Sequence, residues 1–256
     1  MSWTNTQRNE VISAITEELN RAEKNWNEVG VQLIKSDSAM DTIMALESLT
    51  PSNIPGHPFV SDGKPKIDEF IALVVDMRNS TDHLNCLISN QIITDGFQRV
   101  YYETSALLPA VAVATSFENG VVTEYLGDGA LVLFKVNTSD RDESVRSASR
   151  AAKNCIGEMR ALINTELEKR YNLPAMNLGV GISIGKAMVT LVGSPGNRHP
   201  KAIGVCVWEA SKLSGGNNTI HVPTHMKTSW PSSKGGKISF QRSAIRGQDA
   251  YRLQYQ

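Results

Sequence analysis

Residues 70–81 read FIALVVDMRNST. Six apolar residues, Phe70–Val75, run without a break, which predicts a short strand buried on both faces. The run stops at a carboxylate, Asp76. Polar residues follow, and Ser80 or Thr81 is placed to cap a helix running toward Asn90. Two readings of Asp76 stand side by side. It is a strand-end acid that caps the next helix, or it holds a divalent cation, with the Met77 carbonyl as a further ligand. In the second case the helix start offers unpaired N–H groups to phosphate oxygens.

A second stretch, EYLGDGALVLF at 124–134, bears on that choice. Val121–Leu126 and Ala130–Val136 read as two strands, joined by a tight Gly127-Asp128-Gly129 turn. Alone, this is a plain Asp-Gly hairpin. Taken with Asp76 it gains a meaning, because neighbouring strand ends can bring Asp76 and Asp128 to one pair of metal ions. Two carboxylates plus substrate phosphates are what Mg²⁺ or Mn²⁺ typically uses. The third stretch, NLGVGISIGKAMVTLVGSPGNRHPKAIGVCVWEASKLSGG at 177–216, reads as strands 178–184 and 187–192 in a hairpin around Gly185-Lys186. A strand at 202–207 and a helix beginning at Trp208, with Glu209 and Lys212, complete it. Glycines 179, 181, 185, 193 and 204 each mark a turn or a close approach.

Outward from these segments, helical spacing of Val11, Ile12, Ile15, Leu19, Ala22 and Trp26 predicts an amphipathic helix over about 5–35. A Pro/Gly-rich stretch at 51–66 is the best candidate for a linker. Helices are predicted near 97–117 and 140–170, with short strands near 218–222, 237–241 and 250–254. The alternation predicts an α+β sandwich on a mostly antiparallel sheet.

Composition narrows the function classes. Lys+Arg and Asp+Glu are equal at 26 each in 256 residues, so the chain lacks the basic excess of a dedicated nucleic-acid binder. No apolar run approaches the roughly 18–20 residues that span a bilayer, and the N-terminus MSWTNTQRNE has no signal-peptide core. Three widely spaced cysteines, Cys86, Cys155 and Cys206, read as reduced buried thiols, and the five histidines suggest no metal cluster. The expectation is a cytoplasmic protein, with no nucleic-acid or membrane partner.

The three segments, in this order and spacing, resemble the class III nucleotidyl cyclase homology domain over about residues 67–220. FIALVVDMRNST looks like the family's strand followed by Asp-Ile-Arg-Gly-Phe-Thr, with Asp76 and Arg78 in matching places. EYLGDGALVLF looks like its Gly-Asp hairpin, VGISIGKAMVTLVGS like its Ile-Gly-Ile-x-x-Gly hairpin, and GVCVWEASKL like its Gly-x-x-Val-Asn-x-Ala-Ser-Arg helix. The resemblance implies a ferredoxin-like core over 67–256, the catalytic domain, with 1–66 as an N-terminal helical extension and linker. It further implies two divalent cations, Mn²⁺ or Mg²⁺, on Asp76, Asp128 and Met77. The implied reaction is cyclisation of a nucleoside triphosphate in a homodimer with composite sites. Arg78, Asn79, Ser80 and Thr81 fall in its substrate loop.

The chain departs from the family in the last helix. Where the family keeps a ribose-orienting Asn and a transition-state Arg, this chain has Trp208 and Lys212. Lys212 supplies charge without a bidentate fork, or is a solvated lysine; Trp208 packs on sugar or base, or in the core. Arg78 or Arg198 are further candidates for the missing cation. The base-reading places hold Glu124 and Lys201, a pair that does not complement adenine in the usual way. These swaps resemble the bacterial Pycsar pyrimidine cyclases of antiphage defence, which make cyclic UMP or cyclic CMP to trigger a separate effector protein. An adenylyl or guanylyl cyclase and an inactive nucleotide sensor are the alternatives.

Overall fold

The computed structural model describes residues 2–27, 50–85, 92–194, 196–232 and 236–255. The strands are β1 (Thr50–Pro51), β2 (Phe59–Val60), β3 (Lys66–Met77), β4 (Val121–Tyr125), β5 (Gly129–Lys135), β6 (Leu178–Ser194), β7 (Asn197–Ile203), β8 (Thr219–Val222), β9 (Ile238–Ile245) and β10 (Gln248–Tyr255). The helices are α1 (Asn5–Asn25), α2 (Ser80–Asn85), α3 (Gly96–Ser116), α4 (Arg141–Asn154), α5 (Arg160–Tyr171), α6 (Val205–Leu213) and α7 (Thr224–Thr228). The main sheet runs β4-β5-β3-β6-β8-β10-β9, with β7 beside the far end of β6. Its pairings are antiparallel except β6 with β8.

β3 lies at the centre, and its side chains alternate between two cores. Ile71, Leu73, Val75 and Met77 enter the core under α1, α3, α4 and α5, while Phe70, Ala72 and Val74 enter a second core on the opposite face. Cover on both faces is why the apolar run is continuous rather than alternating. α1 begins at a capping box, Thr4 with Gln7, and sends Val11, Ile15, Leu19 and Ala22 into the first core. Its predicted continuation beyond residue 27 lies outside the described residues. The long helix expected at 140–170 is α4 and α5 joined by a π-helical turn, Cys155–Met159. From the last residue of that turn the buried stripe steps strictly by four, through Met159, Ile163, Leu167 and Tyr171.

The second core is covered by α6 and by a strap over residues 50–60. The Pro/Gly-rich stretch folds back so that Thr50 pairs with Val60 and Pro51 with Phe59. Ile54 and Val60 are buried there with Cys206 and Ala210 of α6. Burial pushes the Cys155 thiol up to about 12 and that of Cys206 up to about 11, so both stay protonated. Cys86 lies outside the described residues.

Three local expectations are corrected. β6 is one strand, not a hairpin around Gly185-Lys186: Gly185 pairs with Phe70 and Lys186 with Glu69 in an unbroken ladder. The chain reverses between Ser194 and Asn197, where Gly193 and Gly196 take positive φ of 139° and 82°. The strand expected at 202–207 ends at Ile203, and α6 starts at Val205 rather than Trp208. Gly204 makes that sharp change possible, because a Cβ there would stand 2.6 Å from the Lys186 carbonyl oxygen. Finally, β3 runs through Asp76 to Met77, since Met77 still pairs with Leu178. No helix among the described residues is long and apolar enough to cross a membrane.

Candidate active site

Asp76 and Asp128 arrive at one place by strand register. Asp76 pairs with Gly129 at the start of β5, and the Met77 N–H donates to the Asp128 carbonyl oxygen at 3.0 Å. The turn is closed by the Leu126 N–H on the Gly129 carbonyl oxygen at 2.8 Å, with Gly127 at φ +79°. Gly129 must lack a side chain, because a Cβ would lie 2.4 Å from the Val75 carbonyl oxygen. Only a glycine lets the hairpin tip press onto the end of β3. By alternation Asp76 points to the face shared by Phe70, Ala72 and Val74, beneath α6.

The Asp76 carboxyl carries the electrostatic mark of this meeting. Burial raises the Asp76 carboxyl above its ordinary value, and the Asp128 charge raises it further. Arg78 and Arg246 oppose the shift. Arg78 Nη1 donates to Asp76 Oδ2 at 2.5 Å and to the Ser214 carbonyl oxygen at 3.2 Å. Arg246 Nη2 donates to the same Asp76 oxygen at 3.3 Å, and its Nη1 to the Ser211 carbonyl oxygen at 3.4 Å. Asp76 is thereby tied to the C-terminal end of α6 by two guanidinium groups.

The loop after β3 differs from the expected cap. Asn79 takes left-handed φ of 60°, and α2 begins at Ser80. Ser80 Oγ donates to Asp128 Oδ2 rather than capping a helix N–H. Thr81 is exposed, and its carbonyl oxygen accepts from Asn85. α2 is held against α3 through His83 Nδ1, 2.8 Å from the fully buried Glu103, which also accepts from Arg99 Nε at 2.9 Å. The predicted run toward Asn90 passes outside the described residues.

The base-reading candidates meet at a separate spot on the same face. Lys201 Nζ donates to Glu124 Oε2 at 2.5 Å. The pair lies in a cleft of about 430 Å³ between β4, β7 and the strap, a size ordinary for a small-ligand site. Glu124 and Tyr125 lead directly into the turn that carries Asp128. Trp208, at 54 % exposure, projects from α6 and is not part of either core. Lys212 Nζ sits 5.8 Å from the centre of its ring, so the two form a cation–π pair. Arg198 is engaged with Asp62 beside the strap and is not brought to Asp76.

The donor set suits a hard cation. Asp76 and Asp128 supply carboxylate oxygens that repel each other, and a divalent ion between them would relieve that repulsion. Among the described residues no group of three or more His, Cys, Asp or Glu is placed to hold a metal. An ion held by these two carboxylates would complete its shell from backbone, water and substrate oxygens, as Mg²⁺ commonly does. Arg246 was not anticipated from sequence. It occupies a two-residue β9–β10 turn with Gly247, both at positive φ, and only the Arg-Gly dipeptide between two strands marks that turn.

With this geometry in view, the molecule has the fold of the class III nucleotidyl cyclase homology domain. The adenylyl cyclase CyaB from Pseudomonas aeruginosa superposes with a TM-score of 0.58 at 15 % identity, covering 75 % of this chain and 95 % of that one. A guanylyl cyclase crystal structure superposes at 0.56 and 18 % identity, covering 73 % and 91 %. The guanylate cyclase domain from Catenaria anguillulae in complex with GTP gives 0.53 and 16 %, covering 74 % and 98 %. At the sequence level the chain is similar to a uridylate cyclase from Pseudomonas aeruginosa, 31 % identical over 177 residues. That match takes in 66 % of this chain but spans only 30 % of the relative's length. No family model matches the chain.

Proposed function

We propose that this protein is a nucleotidyl cyclase that converts a pyrimidine nucleoside triphosphate, UTP before CTP, to the 3′,5′-cyclic monophosphate and pyrophosphate. The observation that carries the reading is the meeting of Asp76 and Asp128 at the ends of β3 and β5, close enough for one charge to raise the other's pKa. Asp76 and Asp128 hold Mn²⁺ or Mg²⁺, with the Met77 backbone beside them. Bound there, the cations supply Lewis acidity toward the phosphate oxygens and the ribose 3′-hydroxyl. Arg78 and Arg246, already directed at Asp76, are positioned to meet triphosphate charge when it enters. Lys212 supplies a cation from α6, and Trp208 offers an exposed aromatic face to sugar or base. Positioning and fixed charge carry most of the rate in reactions of this type.

The base choice rests on Glu124 and Lys201. Uracil presents N3–H beside O4, a donor next to an acceptor, and the ion pair offers the complementary acceptor and donor. The uridylate cyclase relative supports the same base. Guanine also presents a donor beside an acceptor, so GTP is the second reading, and cytosine meets the pair through its amine and O2. The active unit is a homodimer, and the product signals to a separate effector in antiphage defence, as the Pycsar resemblance implies. The test is to incubate the full chain with each of the four triphosphates and Mn²⁺ and to identify products by mass spectrometry. Cyclic UMP as the main product is expected. Equal turnover of ATP and UTP would overturn the pyrimidine reading, and no cyclic product from any triphosphate would leave a nucleotide-sensing domain. Glu124→Gln should narrow the preference between UTP and CTP while the dependence on Mn²⁺ is unchanged.

A further inference from the structure

The cleft around Glu124 and Lys201 has a third wall that lies outside the segment resembling the cyclases. Residues 51–54 of the strap line it, opposite β4. The strap is fastened to the sheet rather than draped over it. Ile54 and Val60 are buried in the second core. The Ser52 N–H donates to the Pro58 carbonyl oxygen at 2.9 Å, and the His57 N–H to that of Ile54 at 2.9 Å. The His57 ring is buried with Nε2 3.1 Å from Asp68, which also accepts from Lys135 at 2.8 Å. Within this fixed segment the Ser52 hydroxyl already accepts from the Ile54 N–H at 3.0 Å. Asn53 stands between them, exposed to the cleft, and among the described residues its amide group has no hydrogen-bond partner.

A pyrimidine carries three polar atoms along one edge: O2, N3 and the substituent at C4. Glu124 and Lys201 together answer two of them. Taking the nucleotide-cyclase reading as given, we infer that Asn53 answers the third and is a specificity-determining residue of the base subsite. A carboxamide both donates and accepts, so it serves O2 of uracil or N3 of cytosine without a change of charge. Tyr125, exposed on the adjoining wall, offers a ring on which the base can stack. Base selection therefore involves a residue upstream of the metal-bearing strand, delivered by the strap.

The test uses the full chain and 3′-deoxynucleoside triphosphates, which lack the attacking hydroxyl, with affinities for all four bases measured by calorimetry in Mn²⁺. Asn53→Ala should weaken binding of both pyrimidine nucleotides about tenfold while the purine nucleotides change little, and Asn53→Asp should reorder the bases by converting the donor to an acceptor. Selectivity ratios within about twofold of wild type in both variants would overturn the assignment and leave the cyclase reading intact. A wild-type chain that binds no triphosphate would instead overturn the parent reading together with this one, and one that binds all four alike would overturn this assignment alone; both outcomes are visible before any variant is made.

Discussion

At the residue scale the site is defined by an unfavourable contact. Asp76 is half-buried beside another acid, and its pKa is raised despite two arginines. A raised carboxylate pKa means that the charged form is held against the preference of the fold, so its penalty appears as pH rises through the carboxylate range. Groups kept at such a penalty are typical of ligand sites. Asp76→Asn should remove the penalty along with the metal ligand. The metal-free melting temperature should not fall, whereas Mn²⁺ binding should be lost and turnover should drop at least ~100-fold, about 3 kcal/mol of transition-state stabilisation. Asp128→Asn should match it in turnover. Near-normal turnover of either variant at saturating Mn²⁺ would defeat the two-metal assignment. His221 shows the other kind of buried group, one the fold keeps neutral. Burial, helped by the Arg252 charge, lowers its pKa to about 4 from 6.5. The unfolded chain then binds a proton that the folded chain refuses, so stability is complete above about pH 6.5 and is lost as pH falls toward 4. The loss is on the order of 3 kcal/mol. Urea midpoints of the wild type should decline through that window, and His221→Gln should flatten the decline.

At the element scale the placement of α6 decides whether the site exists. Its backbone lies directly on β6, because a Cβ at Gly181 would meet the Ala210 carbonyl oxygen at 2.0 Å and one at Gly179 the Ser214 carbonyl oxygen at 2.0 Å. Glu209 then accepts from Ser183 Oγ at 2.6 Å and fixes the helix in register. Gly181→Ala must lift α6 off the sheet. Overpacking of this kind costs about 1–3 kcal/mol, or roughly 2–6 °C in melting temperature for a chain of this size. Gly157→Ala is the matched control, since nothing lies within 4 Å of its would-be Cβ, and it should leave the melting temperature unchanged or raise it slightly. An unchanged melting temperature for Gly181→Ala would show that the helix is not seated as described. These glycines were legible in sequence as points of close approach, as were the β4–β5 hairpin and the buried strand ahead of Asp76. The unbroken β6 was not. Gly185-Lys186 looks like a turn in isolation, but its partners Phe70 and Glu69 are more than a hundred residues away, and their ladder keeps both extended. Arg246 was missed for a similar reason: its contact with Asp76 spans 170 positions, and nothing near it in sequence announces a site.

At the scale of the whole molecule, the proposed site residues of one chain are turned in different directions. Asp76 is bound to the end of α6 through the Ser211 and Ser214 carbonyl oxygens. Trp208 and Lys212 lie on another side of the same helix, four residues apart, and Val205 joins them at 68 % exposure. Among the described residues, Lys212 Nζ meets the Trp208 ring rather than either aspartate of its own chain. In the homodimer proposed above, the exposed Val and Trp, beside a cation that meets no carboxylate among the described residues, would lie on a surface that a second copy covers, with the Lys212 of one chain serving the Asp76 and Asp128 of the other. A twofold dimer then builds two equivalent sites, each needing both chains. Such a dimer makes a prediction that a self-contained chain does not. Asp76→Ala and Lys212→Ala chains should each be nearly inactive alone. After exchange, about half of the dimers formed from an equal mixture are mixed, and each mixed dimer has one intact site and one doubly damaged site. With half the dimers active at one site of two, the mixture should recover about a quarter of wild-type turnover. Exchange is verified by differently tagged chains co-purifying, and recovery should follow the fraction of mixed dimers. Mixed dimers that form and stay as inactive as their parents would show that Lys212 and Asp76 do not meet across the interface.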